Sequence, residues 1–287
     1  MKKILIHLEA DAKASIFDQI TAYDAGVDQV LAYGGVQPEE VKNLVYGAIF
    51  TRGGEELRNT AIFIGGTHVP TAEELMQEVL KTFFADFRVS VMFDANGSNT
   101  TAAALVQKIV RGRKLQGKKV LVLAGTGPVG IRVATLMAQE GCEVVLSSRQ
   151  FSRAQAACKY IEDSIGAKVK PLEVAGPADT VKILAQGINI VAACGAPGVR
   201  LLDHAVWASA PSLEIIADIN AVEPLGVEGM KATDNGKERE GKIFYGAIAI
   251  GNLKMKVHRA AVQALFKRHD QVLDLTAIYA LAKQIGD

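Results

Sequence analysis

The chain has little of what marks a secreted, metal-built or membrane protein. Only three of its 287 residues are cysteine, and Cys142, Cys158 and Cys194 lie far apart. An odd, scattered set suits neither a disulfide framework nor a zinc site, so no metal is expected and a reducing, cytoplasmic setting is. No stretch approaches the roughly 18 apolar residues of a membrane helix. The opening Met1-Lys2-Lys3-Ile4-Leu5-Ile6-His7 offers too short an apolar run for a secretory leader. Net charge is +1, from 32 Lys and Arg against 31 Asp and Glu. So small a balance steers neither nucleic acid nor a membrane surface to the chain, and neither partner is expected. There is no internal repeat and no low-complexity tract. What remains, with 49% hydrophobic and 22% charged residues, is an ordinary globular composition of one or two domains.

The most informative stretch is Gly125-Thr126-Gly127-Pro128-Val129-Gly130. Before it, Lys119 to Ala124 reads as a buried parallel strand. After it, Val129 to Gln139 reads as a helix. Strand, glycine turn and helix in that order form the dinucleotide-binding fingerprint in its required context. Gly125 permits the tight turn, Gly127 lets backbone approach a pyrophosphate, and Gly130 lets the helix pack on the strand. The helix N-terminus then offers N–H groups and partial positive charge to phosphate.

Upstream, strands are expected at 4–8, 27–33, 60–64 and 89–93, and helices at 15–23, 38–46 and 71–84. Thr71 with Glu74 three residues on reads as a capping box. Strand and helix alternate, which implies a small α/β domain over residues 1–100. A helix over 99–113 bridges to a dinucleotide domain over 101–267. Its further strands are expected at 143–147, 168–172, 188–193, 213–219 and 242–249, with helices at 152–165 and 178–185. Two closing helices, 253–268 and 273–285, follow, and residues 268–287 are expected to complete the first domain. The fold class is thus α/β: a Rossmann-type doubly wound parallel sheet, a smaller α/β substrate domain, and a cleft between them.

An NAD-binding fold usually ends its second strand with an acid for the ribose 2′-hydroxyl. Here the strand ends Ser147-Ser148-Arg149-Gln150, with no Asp or Glu. Arg149 stands where a planar guanidinium faces a 2′-phosphate, Ser147 and Ser148 can donate to it, and Arg153 adds charge. NADP is the expected cofactor; the pocket does not repel NAD, which stays compatible. The alternative is that both arginines are simply a solvated turn and helix start.

Outside the fingerprint, further segments carry a resemblance. Phe93-Asp94-Ala95-Asn96-Gly97-Ser98-Asn99-Thr100-Thr101 is one, with Thr51-Arg52-Gly53-Gly54, Asp218-Ile219-Asn220-Ala221, Pro224-Leu225-Gly226, Ala232-Thr233-Asp234 and Gly246-Ala247-Ile248-Ala249-Ile250-Gly251-Asn252-Leu253-Lys254-Met255-Lys256-Val257-His258-Arg259. In order and nearly end to end, the chain resembles the methylene-tetrahydromethanopterin dehydrogenases. The resemblance implies a homo-oligomer that oxidises a reduced pterin one-carbon carrier with NADP. The carrier is methylene-tetrahydromethanopterin, or in some members methylene-tetrahydrofolate. Such hydride transfer needs two rings held at about 3–3.5 Å with water excluded, and dipoles or a carboxylate near the developing cation. It needs no covalent nucleophile.

Ligands of doubly wound sheets sit beyond the carboxyl ends of strands. Asp94, Asn96, Ser98 and Asn99 follow such a strand, although Asn96-Gly97 is also a common turn pair and Ser98 or Asn99 a common cap. Asp94 and Asn99 are catalytic candidates; Asn96 and Ser98 are substrate-binding candidates. Lys256, favoured partly by the resemblance, is a third catalytic candidate just past the last strand. Lys254 and Asp18 join the substrate candidates, with Asp24 weaker. Asp218 and Asn220 could touch the nicotinamide ribose, and Cys194-Gly195 could underlie the nicotinamide. His258 reads as a packed helix residue. A shikimate-type alcohol dehydrogenase, a non-catalytic NADP sensor and a cyclohydrolase are the rival readings.

Overall fold

The computed structural model describes residues 1–285. The chain divides into two compact units, residues 1–100 with 255–287, and residues 101–254. The first opens with β1 (Ile4–Leu8), α1 (Ile16–Asp24), β2 (Gln29–Tyr33), α2 (Pro38–Phe50), β3 (Thr60–Ile64), α3 (Val69–Thr82) and β4 (Ser90–Phe93). Helix α4 (Ser98–Val110) leads on to β5 (Lys119–Leu123), α5 (Pro128–Gln139), β6 (Glu143–Ser148), α6 (Phe151–Ile165), β7 (Lys170–Glu173), α7 (Pro177–Leu184) and β8 (Ile190–Ala193). Then come α8 (His204–Ala208), β9 (Ile215–Asp218), β10 (Asn235–Arg239), β11 (Lys242–Tyr245) and α9 (Ala247–Leu265). β12 (Val272–Leu273) and α10 (Leu275–Gln284) close the chain.

The second unit's sheet runs β10-β11-β9-β8-β5-β6-β7. Every pairing is parallel except β10 with β11. Without β10 this is the order of a six-stranded dinucleotide-binding sheet, reversing direction between β5 and β8. The first unit's sheet runs β12-β4-β3-β1-β2, wholly parallel, and reverses between β1 and β3. The central strands β1, β3, β4, β5, β8 and β9 are buried and mostly apolar, as the interior of a parallel sheet must be, while β2, β7 and β10 are largely exposed. Leu8, Ile62, Ile64 and Val91 pack with Val45, Ile49, Leu75 and Val79 in one core. Leu121, Val191, Ile216 and Phe244 pack with Trp207 in the other, where Trp207 Nε1 donates to the Glu228 carbonyl at 2.8 Å.

Three expectations shift. α3 starts two residues before Thr71, because Pro70 suits a first turn and His68 Nδ1 accepts from the Thr71 N–H. The return to the first unit falls at 254/255, inside one continuous helix, rather than at 267/268. Residues 242–249 are not one strand: β11 ends at Tyr245 and α9 begins at Ala247. The run Ala247–Ile250 is apolar on every side, so periodicity could not separate strand from helix. Gly246 decides it. A Cβ there would lie 2.3 Å from the Lys231 carbonyl oxygen and 2.5 Å from that of Ala232. The Ile248 N–H donates to that same Ala232 oxygen, which sets the first turn of α9.

Because those neighbours are backbone and cannot swing away, Gly246→Ala should cost about 1–3 kcal/mol of stability. Urea unfolding checks this; an unchanged midpoint would contradict the packing.

Candidate functional site

In the second unit, β5 ends at Leu123 and the chain turns through Ala124, a non-glycine held at φ 51°. The Gly125 N–H donates to the Ser147 carbonyl at 2.8 Å, tying the turn to the end of β6. A Cβ on Gly125 would stand 2.7 Å from Leu146 Cγ, and one on Gly130 would stand 2.6 Å from the Gly125 Cα and carbonyl oxygen. These two glycines therefore let helix close on strand. Gly127 differs: the space where its Cβ would project is open. It caps α5, and the first-turn N–H groups of Val129 and Gly130 lack intrahelical acceptors. Backbone donors, a helix N-terminus and an open approach fit a pyrophosphate.

A cavity of about 260 Å³ opens beside this turn. Thr126, Ser148, Arg149, Arg153, Gly195 and Leu201 are among its lining residues, which include two arginines and no carboxylate. Arg149 and Arg153 are both exposed at its rim. The nearby acid Glu173, at the end of β7, is spent on the Phe151 N–H at 2.9 Å, the start of α6. Ser147 is buried and donates to the Val122 carbonyl at 3.1 Å, so its hydroxyl braces β5 instead of facing a phosphate. Ser148 Oγ accepts from the Gln150 N–H at 3.3 Å, which leaves its proton for a ligand.

Three other cofactor candidates are occupied inside the fold. Asp218 is 1% exposed, and its oxygens accept from the N–H groups of Asn220 (2.9 Å) and Val227 (3.1 Å). Burial pushes its carboxyl up, while the N–H groups of Asn220, Val227 and Gly226 pull it down. Asn220 donates to the Pro224 carbonyl and accepts from the Val222 N–H. Both brace the 219–227 loop. Cys194 is buried at the end of β8, and burial, aided by Asp218, pushes its thiol far above the ordinary range.

In the first unit, the candidates after β4 are bound into the start of α4. Thr100 donates to Asp94 twice, from N–H to Oδ1 at 3.0 Å and from Oγ1 to Oδ2 at 2.6 Å. Asn99 Nδ2 donates to the Phe93 carbonyl at 2.8 Å, and Ser98 Oγ to that of Ala95 at 2.6 Å. Asn96 is exposed, at φ 55°. Lys254 and Lys256 lie inside α9 rather than after a strand, Lys254 half-buried and Lys256 exposed. Two residues before His258, Lys256 is turned about 200° round the helix from it.

Sequence reasoning passed over what gathers beside Asp94. His258 sits with Nδ1 3.8 Å from Asp94 Oδ2 and Nε2 3.9 Å from Asp18 Oδ1. Phe63 stacks on it at 5.7 Å, and His7 meets the edge of Phe63 at 5.0 Å. His7 Nε2 lies 3.1 Å from Glu9 Oε2. The available signal was His7 itself, one polar residue inside the apolar strand Ile4–Leu8.

The N-terminal region of methylene-tetrahydromethanopterin dehydrogenases matches residues 16–96. The bifunctional protein MdtA of Methylorubrum extorquens is 46% identical over 287 residues, covering 99% of each chain. The chain belongs to the methylene-tetrahydromethanopterin dehydrogenase family. A second relative from the same organism, the NAD(P)-dependent methylenetetrahydromethanopterin dehydrogenase, is 28% identical across the full length of both chains. Two solved structures share the fold at 14% identity. A Listeria monocytogenes shikimate 5-dehydrogenase has a TM-score of 0.55 over 98% of this chain and 96% of its own. A Gluconobacter 5-ketofructose reductase has 0.52 over 99% of each. Among the described residues, no helix of this family member is long and apolar enough to cross a membrane, and no group of side chains could hold a metal ion.

Burial also pushes the thiols of Cys142 and Cys158 up to about 11, Glu140 adding to the effect at Cys142. Thiolate is the reactive form. At pH 8 the native protein should therefore react with a disulfide reagent far more slowly than the urea-unfolded chain, which exposes all three thiols. Fast native labelling would contradict this.

Proposed function

We propose that this chain is an oxidoreductase that takes a hydride from methylene-tetrahydromethanopterin, with methylene-tetrahydrofolate as the alternative carrier, and uses NADP as acceptor. The observation that carries the reading is the cavity beside the glycine turn, with two arginines and no carboxylate, in a member of this family. NAD remains compatible, since the rim does not repel a 2′-hydroxyl. When bound, the nicotinamide supplies the hydride acceptor. The chain's own part is to bind, orient and exclude water. Gly127 and the first turn of α5 take the pyrophosphate, while Arg149, Arg153 and Ser148 take the 2′-phosphate.

The one-carbon bridge loses one C–H bond with both its electrons and keeps a positive charge spread over N–C–N. No proton leaves in that step, so no general base is needed. Asn96, Lys254, Lys256 and Asp18 remain the candidates for holding the pterin, with the buried Asp94, Ser98 and Asn99 acting through the turn they brace. The reading extends to a cytoplasmic homo-oligomer. An alcohol dehydrogenase of shikimate type shares the fold, but the matched family segments favour the pterin.

Initial rates at the methenyl absorbance band test this, with each carrier offered NADP and NAD. Turnover with a methylene pterin is expected, fastest with NADP. Cofactor binding without turnover on any pair would mark a sensor instead. Arg149→Ala should raise the KM for NADP on the order of tenfold, the loss of one charge-assisted contact, and that for NAD much less. Equal effects would remove Arg149 from the 2′-phosphate site.

A further inference from the structure

Doubly wound sheets bind ligands at the carboxyl ends of strands, where strand order reverses. In the first unit that point lies between β1 and β3. His7 comes from the end of β1, Phe63 and Gly65 from the end of β3, and Asp94 follows β4. Glu9, Asp18 and His258 complete the group. Resting on the dehydrogenase reading above, we propose that Asp18 is the catalytic carboxylate that faces the positive charge left on the one-carbon bridge. His258, backed by Asp94, is the positioning residue that holds it there.

Four observations carry this. The first is access. The side chains of His7, Glu9, Asp94 and His258 are 1%, 4%, 0% and 1% exposed, and Asp18 alone of the five reaches 16%. A ligand arriving at this edge meets Asp18. The second is convergence. His7 Nε2 is buried without a well-formed hydrogen bond, because Glu9 stands near but off-angle. It lies 2.9 Å from the point where a Cβ on Gly65 would project, and Asp18 Oδ2 lies 3.7 Å from the same point. A Cβ there would crowd His7 Nε2 and the Phe63 ring at 2.9 and 3.1 Å, so glycine keeps the space beside His7 and Asp18 open. The third is charge. With its three carboxylates ionised, this set is negative by at least one charge even with both imidazoles protonated. In a site shielded from water, such charge favours a cation far more than water does.

The fourth is the reaction. A histidine between two carboxylates usually serves proton transfer, yet hydride loss from the bridge releases no proton. The arrangement is left with an orienting and electrostatic task. Its parts stand in series: Thr100 fixes Asp94, Asp94 Oδ2 lies 3.8 Å from His258 Nδ1, Phe63 stacks on the ring, and His258 Nε2 lies 3.9 Å from Asp18 Oδ1, electrostatic approaches rather than hydrogen bonds. Asp18 is itself held at the start of α1, where its N–H donates to Ser15 Oγ at 3.2 Å.

The test compares wild type with Asp18→Asn, Asp18→Glu and His258→Gln. Two readouts are taken: steady-state rates, and equilibrium binding of methylene-tetrahydrofolate against cationic methenyl-tetrahydrofolate. The tetrahydromethanopterin forms replace them if only those turn over. Asp18→Asn should lower kcat on the order of 10²-fold, as removal of a preorganised charge partner does. Its KM for the methylene form should move less than about twofold, since the neutral bridge gains little from the charge. Binding of the methenyl cation, which carries in full the charge that the transition state carries in part, should weaken at least as much as kcat falls, and Asp18→Glu should regain part of it, while His258→Gln should show the same split to a smaller degree. If Asp18→Asn does not fold, the other two variants carry the comparison. Wild-type turnover with an unchanged preference for the cation in the variants would overturn the inference alone. So would equal weakening of both pterin forms, the mark of a merely structural role. Absence of wild-type turnover on every pair would instead overturn the dehydrogenase reading on which it rests.

Discussion

One contact organises the dinucleotide side of the molecule: the backbone of Gly130 lies directly on the backbone of Gly125. Any side chain at Gly130 would stand 2.6 Å from Gly125. Only with both glycines can α5 begin beside the end of β5, which sets its first-turn N–H groups directly after Thr126, a residue that lines the cavity. The same turn bonds to Ser147 on β6. That bond fixes where β6 ends, and so where Arg149 emerges. Phosphate donors and guanidinium are therefore set by one close approach rather than by separate devices.

The two sheets solve the same problem with different chemistry. Each is parallel, and each reverses its strand order once. In the second unit the reversal is lined by glycine, small side chains and arginine, which suits phosphate. In the first it is lined by carboxylates and imidazoles. A reaction that delivers a hydride to one partner and leaves a cation on the other asks for such a division: anion binding in one unit, cation stabilisation in the other.

Most of the fold was legible, because strand–helix alternation and glycine turns are local signals. β1 and β3 fall where their apolar runs lie, and the fingerprint turn was readable residue by residue. What failed was decided at a distance. Gly246 ends β11 and starts α9 through contact with Lys231 and Ala232, which no window around residue 246 reveals. β10 and β12 are short or exposed strands that exist only because β11 and β4 offer edges. The site followed the same pattern. Arg149 and the missing acid could be read beside the glycines. That Ser147 braces Val122, or that Asp218 serves its own loop, depends on which neighbour each side chain faces. His258 was read as a packed residue, which it is; its place between Asp18 and Asp94 joins positions 18, 94 and 258, and only folding brings these together.

All of this chemistry rests on direct hydride transfer from the one-carbon bridge. The decisive measurement loads the carrier with dideuterated formaldehyde, runs the reaction in ordinary water with NADP, and examines the reduced cofactor by mass spectrometry. One deuterium per cofactor reduced is expected and, with unlabelled carrier in heavy water, none. Unlabelled reduced cofactor from the deuterated carrier, or label acquired from heavy water, would contradict it.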